Sequence, residues 1–293
     1  MSIQAEMKIK AIAPWFGSKR TLAPRIVSEL GDHRAYWEPF CGSMAVLFAK
    51  ETSTFETVND LNGDLINLAH VVQDETLSVE LYARLSRTLM HESLHREAAE
   101  RWRERGYAGI IEEPSVDHAA DYFLCSWLGR NGVAGTESYN QGFCVRYTKN
   151  GGHGATRFIS AIESIPAWFH RLRNVTILQR NGIELCEKIE DDAGVVIYAD
   201  PPYLVKGAKY IHDFDWLAHR KLATALRRFK KTRVVVSYYA HPDLAAMYPD
   251  WTVVDCAMTK SLVSQGQRDS TNKAIAPEVL LINGESFTKG GEA

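Results

Sequence analysis

The chain has 293 residues, 45% of them hydrophobic and 24% charged, with a formal net charge of −2 at pH 7. These values suit one large globular domain, or a core domain carrying an insertion, and no apolar run nears the roughly 20 residues of a membrane span. The charge does not favour a nucleic-acid partner, yet leaves room for one met by a local basic cluster.

The opening "MSIQAEMKIK" lacks the apolar stretch of a signal peptide. Five cysteines, Cys41, Cys125, Cys144, Cys186 and Cys256, are odd in number and form no CxxC pair. That pattern argues against a disulfide framework or a zinc site and fits a cytoplasmic protein in a reducing compartment. No HxE or cysteine cluster calls for a metal. In chain order, "TLAPRIVSEL" places Leu22, Ile26, Val27 and Leu30 on one helical face. "AYWEP" and "TFETVND" are strand candidates separated by a helix over 43–50, and "NGDLINLAHVV" continues as a helix. Residues 76–105 are helical and heavily charged, and 117–128 form another helix ending at "GRNGVAG". The stretch from there to 157, rich in Gly, Asn, Tyr and Thr, is too long for an ordinary connection. Strands are then predicted at "VTILQ", "GVVIYA", "TRVVVSYY", "WTVVDCAM" and "EVLLIN", with helices over 159–173 and 215–229. Strands alternating with helices predict an α/β sheet. Residues 1–75 and 158–293 would build it, and 76–157 would be a largely helical insertion.

Three stretches carry chemistry. "YWEPFCGSMAVLF" reads as strand, glycine turn and helix, and such a turn lets backbone N–H groups approach a nucleotide-like ligand. Alone, the turn is equally at home as a structural one. Glu38 and Asp60, at successive strand ends, tilt the reading towards an adenosine-containing cofactor, with Asp60 accepting from ribose hydroxyls. In "PWFGSKR", Trp15 can cover an apolar face and Lys19 can pair with a carboxylate; the plainer alternative is a loop whose Trp plugs the core. In "VIYADPPY", Asp200 follows a buried strand and is held by Pro201 and Pro202. Asp200 can accept from an exocyclic amine, the Pro201 carbonyl from its second hydrogen, and Tyr203 can stack on the base. The competing reading is a strand capped by a proline turn with Asp200 solvated. Further on, "HRKLATALRRFKKTR" has seven Lys or Arg and no acid, which suits either phosphate tracking or a solvated helix face. "TKSLVSQGQRDSTNKA" is a polar loop whose Lys260 and Arg268 suit clamping a DNA backbone.

"PWFGSKR", "EPFCGSMAV", "NDLNGDLINLAHVVQ", "GRNGVAGT…SYNQGFCVRY", "VIYADPPY" and "EVLLIN" stand in the order seen in the DNA adenine methylase family. The chain resembles that family from about Ala13 to Asn283. The resemblance implies a Rossmann-like sheet that binds S-adenosylmethionine, and N6 methylation of an adenine flipped from double-stranded DNA. It implies that Trp15, Lys19, Asp60 and Asp200 line the cofactor site, that Glu38, Phe40 and Gly42 form its glycine turn, and that Asp200, Pro201, Pro202 and Tyr203 are the catalytic motif. It further implies DNA contacts from Arg130, Asn131, Tyr139, Asn140 and Arg146, with Arg146 suited to guanine. One departure stands out: the family's second glycine is replaced by Met44, which would either add bulk near the cofactor or pack behind it. Methylation of RNA or of cytosine N4 would use the same chemistry, and a non-catalytic DNA-binding module is a rival of another class. Asp200, in place of Ser or Asn, favours adenine.

Overall fold

The computed structural model describes residues 6–106, 109–129, 142–145, 154–204, 214–256, 258–259 and 275–288. Five parallel strands form the body of a sheet: β1 (Ala35–Glu38), β2 (Phe55–Asn59), β3 (Thr176–Leu178), β4 (Val195–Ala199) and β5 (Arg233–Tyr239). β6 (Thr252–Asp255) and β9 (Glu278–Ile282) complete it in the order β3-β2-β1-β4-β5-β9-β6, with β9 antiparallel to both neighbours. β7 (Met258–Thr259) and β8 (Ile275–Ala276) pair as a separate ribbon.

Both faces of the sheet are covered, which explains why its strands read as continuous apolar runs rather than alternating ones. In β4, Val195, Ile197 and Ala199 enter one buried cluster, while Val196 and Tyr198 enter the other. The period of two thus survives inside an unbroken apolar string. One face packs against α1 (Ala23–Leu30), α2 (Ala45–Ala49), α3 (Gly63–Gln73), α6 (Val116–Leu128) and α7 (Gly154–Leu172). The other packs against α8 (Gly182–Lys188), α9 (Trp216–Arg227) and α10 (Leu244–Met247).

The predicted helical stretch 76–105 is two helices, α4 (Glu75–Ser86) and α5 (Glu92–Arg105), each restarted by a capping side chain at Asp74 and His91. Charged residues on both sides of the break hid it from the sequence. α4 to α6 share the first core with α3 and α7. Polar ties fix them: Trp102 Nε1 donates to Asp64 Oδ2 at 3.1 Å, and Arg101 and Arg105 both pair with buried Asp121. The short helices α8 and α10 were not foreseen, although Asn181 caps α8 by accepting from the Ile183 N–H. Among the described residues, no helix is long and apolar enough to cross a membrane.

Candidate active site

Strand order reverses between β1 and β4, because the chain lays β1, β2 and β3 outward to one side and then returns to lay β4 and β5 on the other. Open α/β sheets hold ligands in the crevice beyond the strand ends at such a point. Here that crevice is a cleft of about 190 Å³, lined from every neighbouring strand end. β1 delivers Glu38, β2 delivers Asn59 and Asp60, β4 delivers Asp200, and β5 delivers Tyr239.

The turn after β1 is tied to the end of β2. The Cys41 N–H donates to the Asn59 carbonyl, and the Gly42 N–H donates to Asp60 Oδ2, both at 2.9 Å. The other Asp60 oxygen accepts from the Asn62 N–H at 2.9 Å, just before Asn62 caps α3. Gly42 has φ +42°, and a Cβ there would lie 2.8 Å from the Trp15 indole nitrogen. Glycine is therefore required twice, for backbone geometry and for the approach of Trp15. Met44 adopts φ 58°, ψ 28°, the left-handed region that its glycine counterpart would enter without strain. Its side chain is fully buried in the core beneath the turn and does not line the cleft. Of the two alternatives for Met44, it packs behind.

Three carboxylates and one ammonium meet beside this turn. Lys19 Nζ lies 2.8 Å from Asp200 Oδ2 and 3.2 Å from Glu278 Oε1, and 5.0 Å from the centre of the Tyr203 ring. The Tyr203 hydroxyl donates to Glu278 Oε1 at 2.6 Å, and its ring meets Tyr239 edge-on at 4.5 Å. Glu38 is 2% exposed and accepts from the Tyr36 hydroxyl at 2.8 Å. Burial pushes the Asp200 carboxyl up to about 6; Lys19 pulls it down and the Glu278 charge pushes it further up. Burial likewise pushes Glu38 up to about 8, opposed by the Tyr36 hydrogen bond and reinforced by the Asp200 charge. Against these acids the lining sets two cations among the described residues, the buried Lys19 and the exposed Arg180.

The structure brings Trp15, Lys19, Glu38, Phe40, Gly42, Asp60, Asp200, Pro202 and Tyr203 onto the wall of this one cleft. Pro201 is buried and is not among the lining residues. Arg130, Asn131, Tyr139, Asn140, Arg146, Lys260 and Arg268 lie outside the described residues.

A family model described as D12 class N6 adenine-specific DNA methyltransferase matches residues 15–272. The chain belongs to this family. It is 27% identical to the Retron Ec67 DNA adenine methylase of Escherichia coli over 275 residues, 92% of this chain and 91% of that protein. It is also 27% identical to a DNA adenine methylase of Serratia marcescens over 205 residues, 67% of each chain. The resemblance carried by the ordered motifs is thus shown, and with it an adenine-specific DNA methyltransferase on a mixed α/β sheet.

Within this methyltransferase, the sequence reading missed Asn59, Asn181, Tyr239 and Glu278. Asn59 donates to the Pro39 carbonyl and accepts from the Arg180 N–H, joining the turns after β1 and β3. Its signal was a polar residue ending an apolar strand, and the same signal marks Tyr239. The basic run "HRKLATALRRFKKTR" is placed differently from a phosphate track at the cleft. α9 starts beside the cleft at Ala218, but Arg227, Lys230 and Lys231 gather where β5 begins, the far end of the sheet from Asp200. The backbone N–H groups of Lys230 and Lys231 are spent on Asp191. This favours the solvated-face reading for that basic end.

Proposed function

We propose that the cleft binds S-adenosylmethionine and that the chain methylates N6 of an adenine swung out of double-stranded DNA. The observation that carries this is the convergence of Asp200, Tyr203 and Lys19 with the Gly42 turn on one wall of a single cleft. The residues present fit the cofactor. Gly42 brings backbone close to the ligand space, Asp60 suits ribose hydroxyls, and the surplus of carboxylates suits a ligand whose net charge is positive. When bound, the cofactor supplies an electrophilic methyl group.

The chain's own contribution is positioning. Asp200, as carboxylate, accepts from one hydrogen of the adenine amine and the Pro201 carbonyl from the other, turning the nitrogen lone pair towards the methyl group. The Tyr203 ring stacks on the base, whose extraction from the duplex exposes the amine. Residues 1–75 and 158–293 form the catalytic domain in this reading, and 76–157 the target-recognition insertion. Within it Arg130, Asn131, Tyr139, Asn140 and Arg146 contact DNA, while Lys260 and Arg268 clamp the backbone from the catalytic side. The buried free cysteines suit work in a reducing cytoplasm. The test is to incubate the protein with methyl-labelled S-adenosylmethionine and duplex DNA, single strands or RNA, and then to separate the nucleosides. Label in N6-methyladenine from duplex DNA is expected. Label in N4-methylcytosine, or in RNA alone, would replace this reading with one of its rivals.

A further inference from the structure

In the sequence Glu278 is read neither as catalytic nor as cofactor-binding, yet it touches Tyr203 of the catalytic motif and Lys19 of the cofactor site. β9 runs antiparallel to β5 with Glu278 directly opposite Tyr239. The first residue of β9 therefore arrives at the same sheet end as the last residue of β5, and so beside Asp200. The Glu278 side chain is only 13% exposed, and its Oε1 receives both the Tyr203 hydroxyl at 2.6 Å and the Lys19 ammonium at 3.2 Å. Both donors also act on Asp200: Lys19 pairs with it at 2.8 Å, and the Tyr203 hydroxyl helps to hold its carboxyl down.

We propose that Glu278 is a positioning residue of the methyl-transfer site, drawing the Lys19 ammonium and the Tyr203 hydroxyl off Asp200 so that Asp200 is left to accept from the incoming amine. The inference rests on the reading of this cleft as the transfer site. Each charged donor a carboxylate holds neutralises part of its negative charge, and a second carboxylate that shares those donors leaves more of it for the incoming amine. Anchoring the hydroxyl also fixes the Tyr203 ring, so the stacking surface is set before the base arrives. Among the described residues, the groups facing Glu278 are Lys19 from the loop before α1, Asp200 and Tyr203 after β4, Tyr198 within β4, Tyr239 on β5 and Cys256 after β6. Burial pushes the Tyr198, Tyr239 and Cys256 groups upward, and the Glu278 charge adds to it. Lys19 is the cation among those six.

The experiment compares wild type, Glu278→Gln, Glu278→Ala, Tyr203→Phe and the Tyr203→Phe/Glu278→Gln double variant in methylation of duplex DNA, from about pH 5 to 9. Glu278→Ala should lower kcat by about 10- to 100-fold, the scale of one charged hydrogen bond, with the KM for cofactor nearly unchanged. Glu278→Gln should recover part of that loss. In both, the acid limb of kcat should move to lower pH, because Lys19 and Tyr203 then serve Asp200 alone. The double variant should lose less than the product of the single losses. An unchanged kcat and limb, or a loss that follows the melting temperature while the limb stays put, would overturn the proposal. Carbon NMR of the cofactor-free protein tests the same coupling without turnover. The Asp200 carboxyl should titrate lower in Glu278→Gln than in wild type, and an unmoved titration counts against it. If wild type methylates no adenine, the reading of the cleft fails. If wild type is active and the Glu278 variants match it, only the role of Glu278 fails.

Discussion

Two buried ionic clusters sit on the same sheet and are built to opposite specifications. On β2, Glu56 is held by Lys50 at 2.6 Å and by Arg171, one carboxylate between two cations, with Ser53 adding a hydrogen bond. Burial pushes Glu56 upward, but the hydrogen bonds from Arg171 and Lys50 outweigh it and hold its carboxyl below the usual range. Beyond the strand ends, Asp200 and Glu278 share Lys19, with Glu38 near enough for the Asp200 charge to reach it. There burial pushes two carboxyls up, Asp200 to about 6 and Glu38 to about 8. The first cluster is complete in the folded chain and serves only the fold. In the second, two carboxylates share one ammonium, an arrangement that leaves room for a ligand's positive charge where Glu56 leaves none.

That contrast can be broken most sharply at Asp200. Asp200→Ala should lower methyl transfer by about 10²–10⁴-fold while leaving the melting temperature unchanged or raised, because it removes a carboxylate the cluster cannot fully neutralise. In wild type kcat/KM for the cofactor should climb as pH rises through about 6, where the cofactor-free Asp200 sheds its proton. Near-normal turnover of the alanine variant, or a melting temperature that collapses with it, would show that Asp200 belongs to the structural kind. Glu56→Ala is the mirror experiment. Stranding Lys50 and Arg171 without their carboxylate should destabilise the fold by about 3–5 kcal/mol, read by denaturant titration, with the folded fraction still active.

Asp60→Ala should weaken cofactor binding by about 1.5–3 kcal/mol in calorimetry, since it removes a charged acceptor and releases the Gly42 and Asn62 N–H groups together. Unchanged affinity would mean Asp60 only braces the turn. A smaller effect separates the clusters by pH. In the cofactor-free protein, folded Asp200 and Glu38 retain protons that the unfolded chain has already lost, so their contribution to stability falls as pH rises from about 4 to about 8. Glu56 has the opposite sign: its contribution is present at neutral pH and disappears in acid, below its ordinary value of 4.5. Melting temperatures across this range should fall less steeply in Glu38→Gln than in wild type, and identical slopes would contradict the assignment.

Much of this was legible in the sequence, for reasons that are local. Asp200 follows five apolar residues and precedes two prolines, so its place at a strand end needed only the chain around it. Gly42 and Asp60 were readable in the same way, as a turn and a strand end 18 residues apart. Glu278 was not, because it joins the site through antiparallel pairing with a strand 39 residues earlier, the separation of its register partner Tyr239. Nothing in "EVLLIN" says which neighbour β9 will take. The saturation of Glu56 was equally hidden, since Arg171 reaches it across 115 positions. The missing glycine marked Met44, with packing behind the turn as one of two alternatives, but the choice between them and its left-handed backbone became evident only from the fold. Strand ends and turns are written locally; charge balance is written by the fold.

If the cofactor brings positive charge to Glu38 and to the Asp200–Glu278 pair that shares Lys19, proton release reports it directly. S-adenosylmethionine should be titrated into wild type and Glu38→Gln at pH 7 by calorimetry in buffers of different ionisation enthalpy. A positively charged ligand favours ionised carboxylates, so binding to wild type should release a substantial fraction of a proton, chiefly from Glu38, and the variant should release much less. Binding with no proton release in wild type, or with equal release in Glu38→Gln, would mean that the cleft was already balanced and that the distinction between the two clusters does not hold.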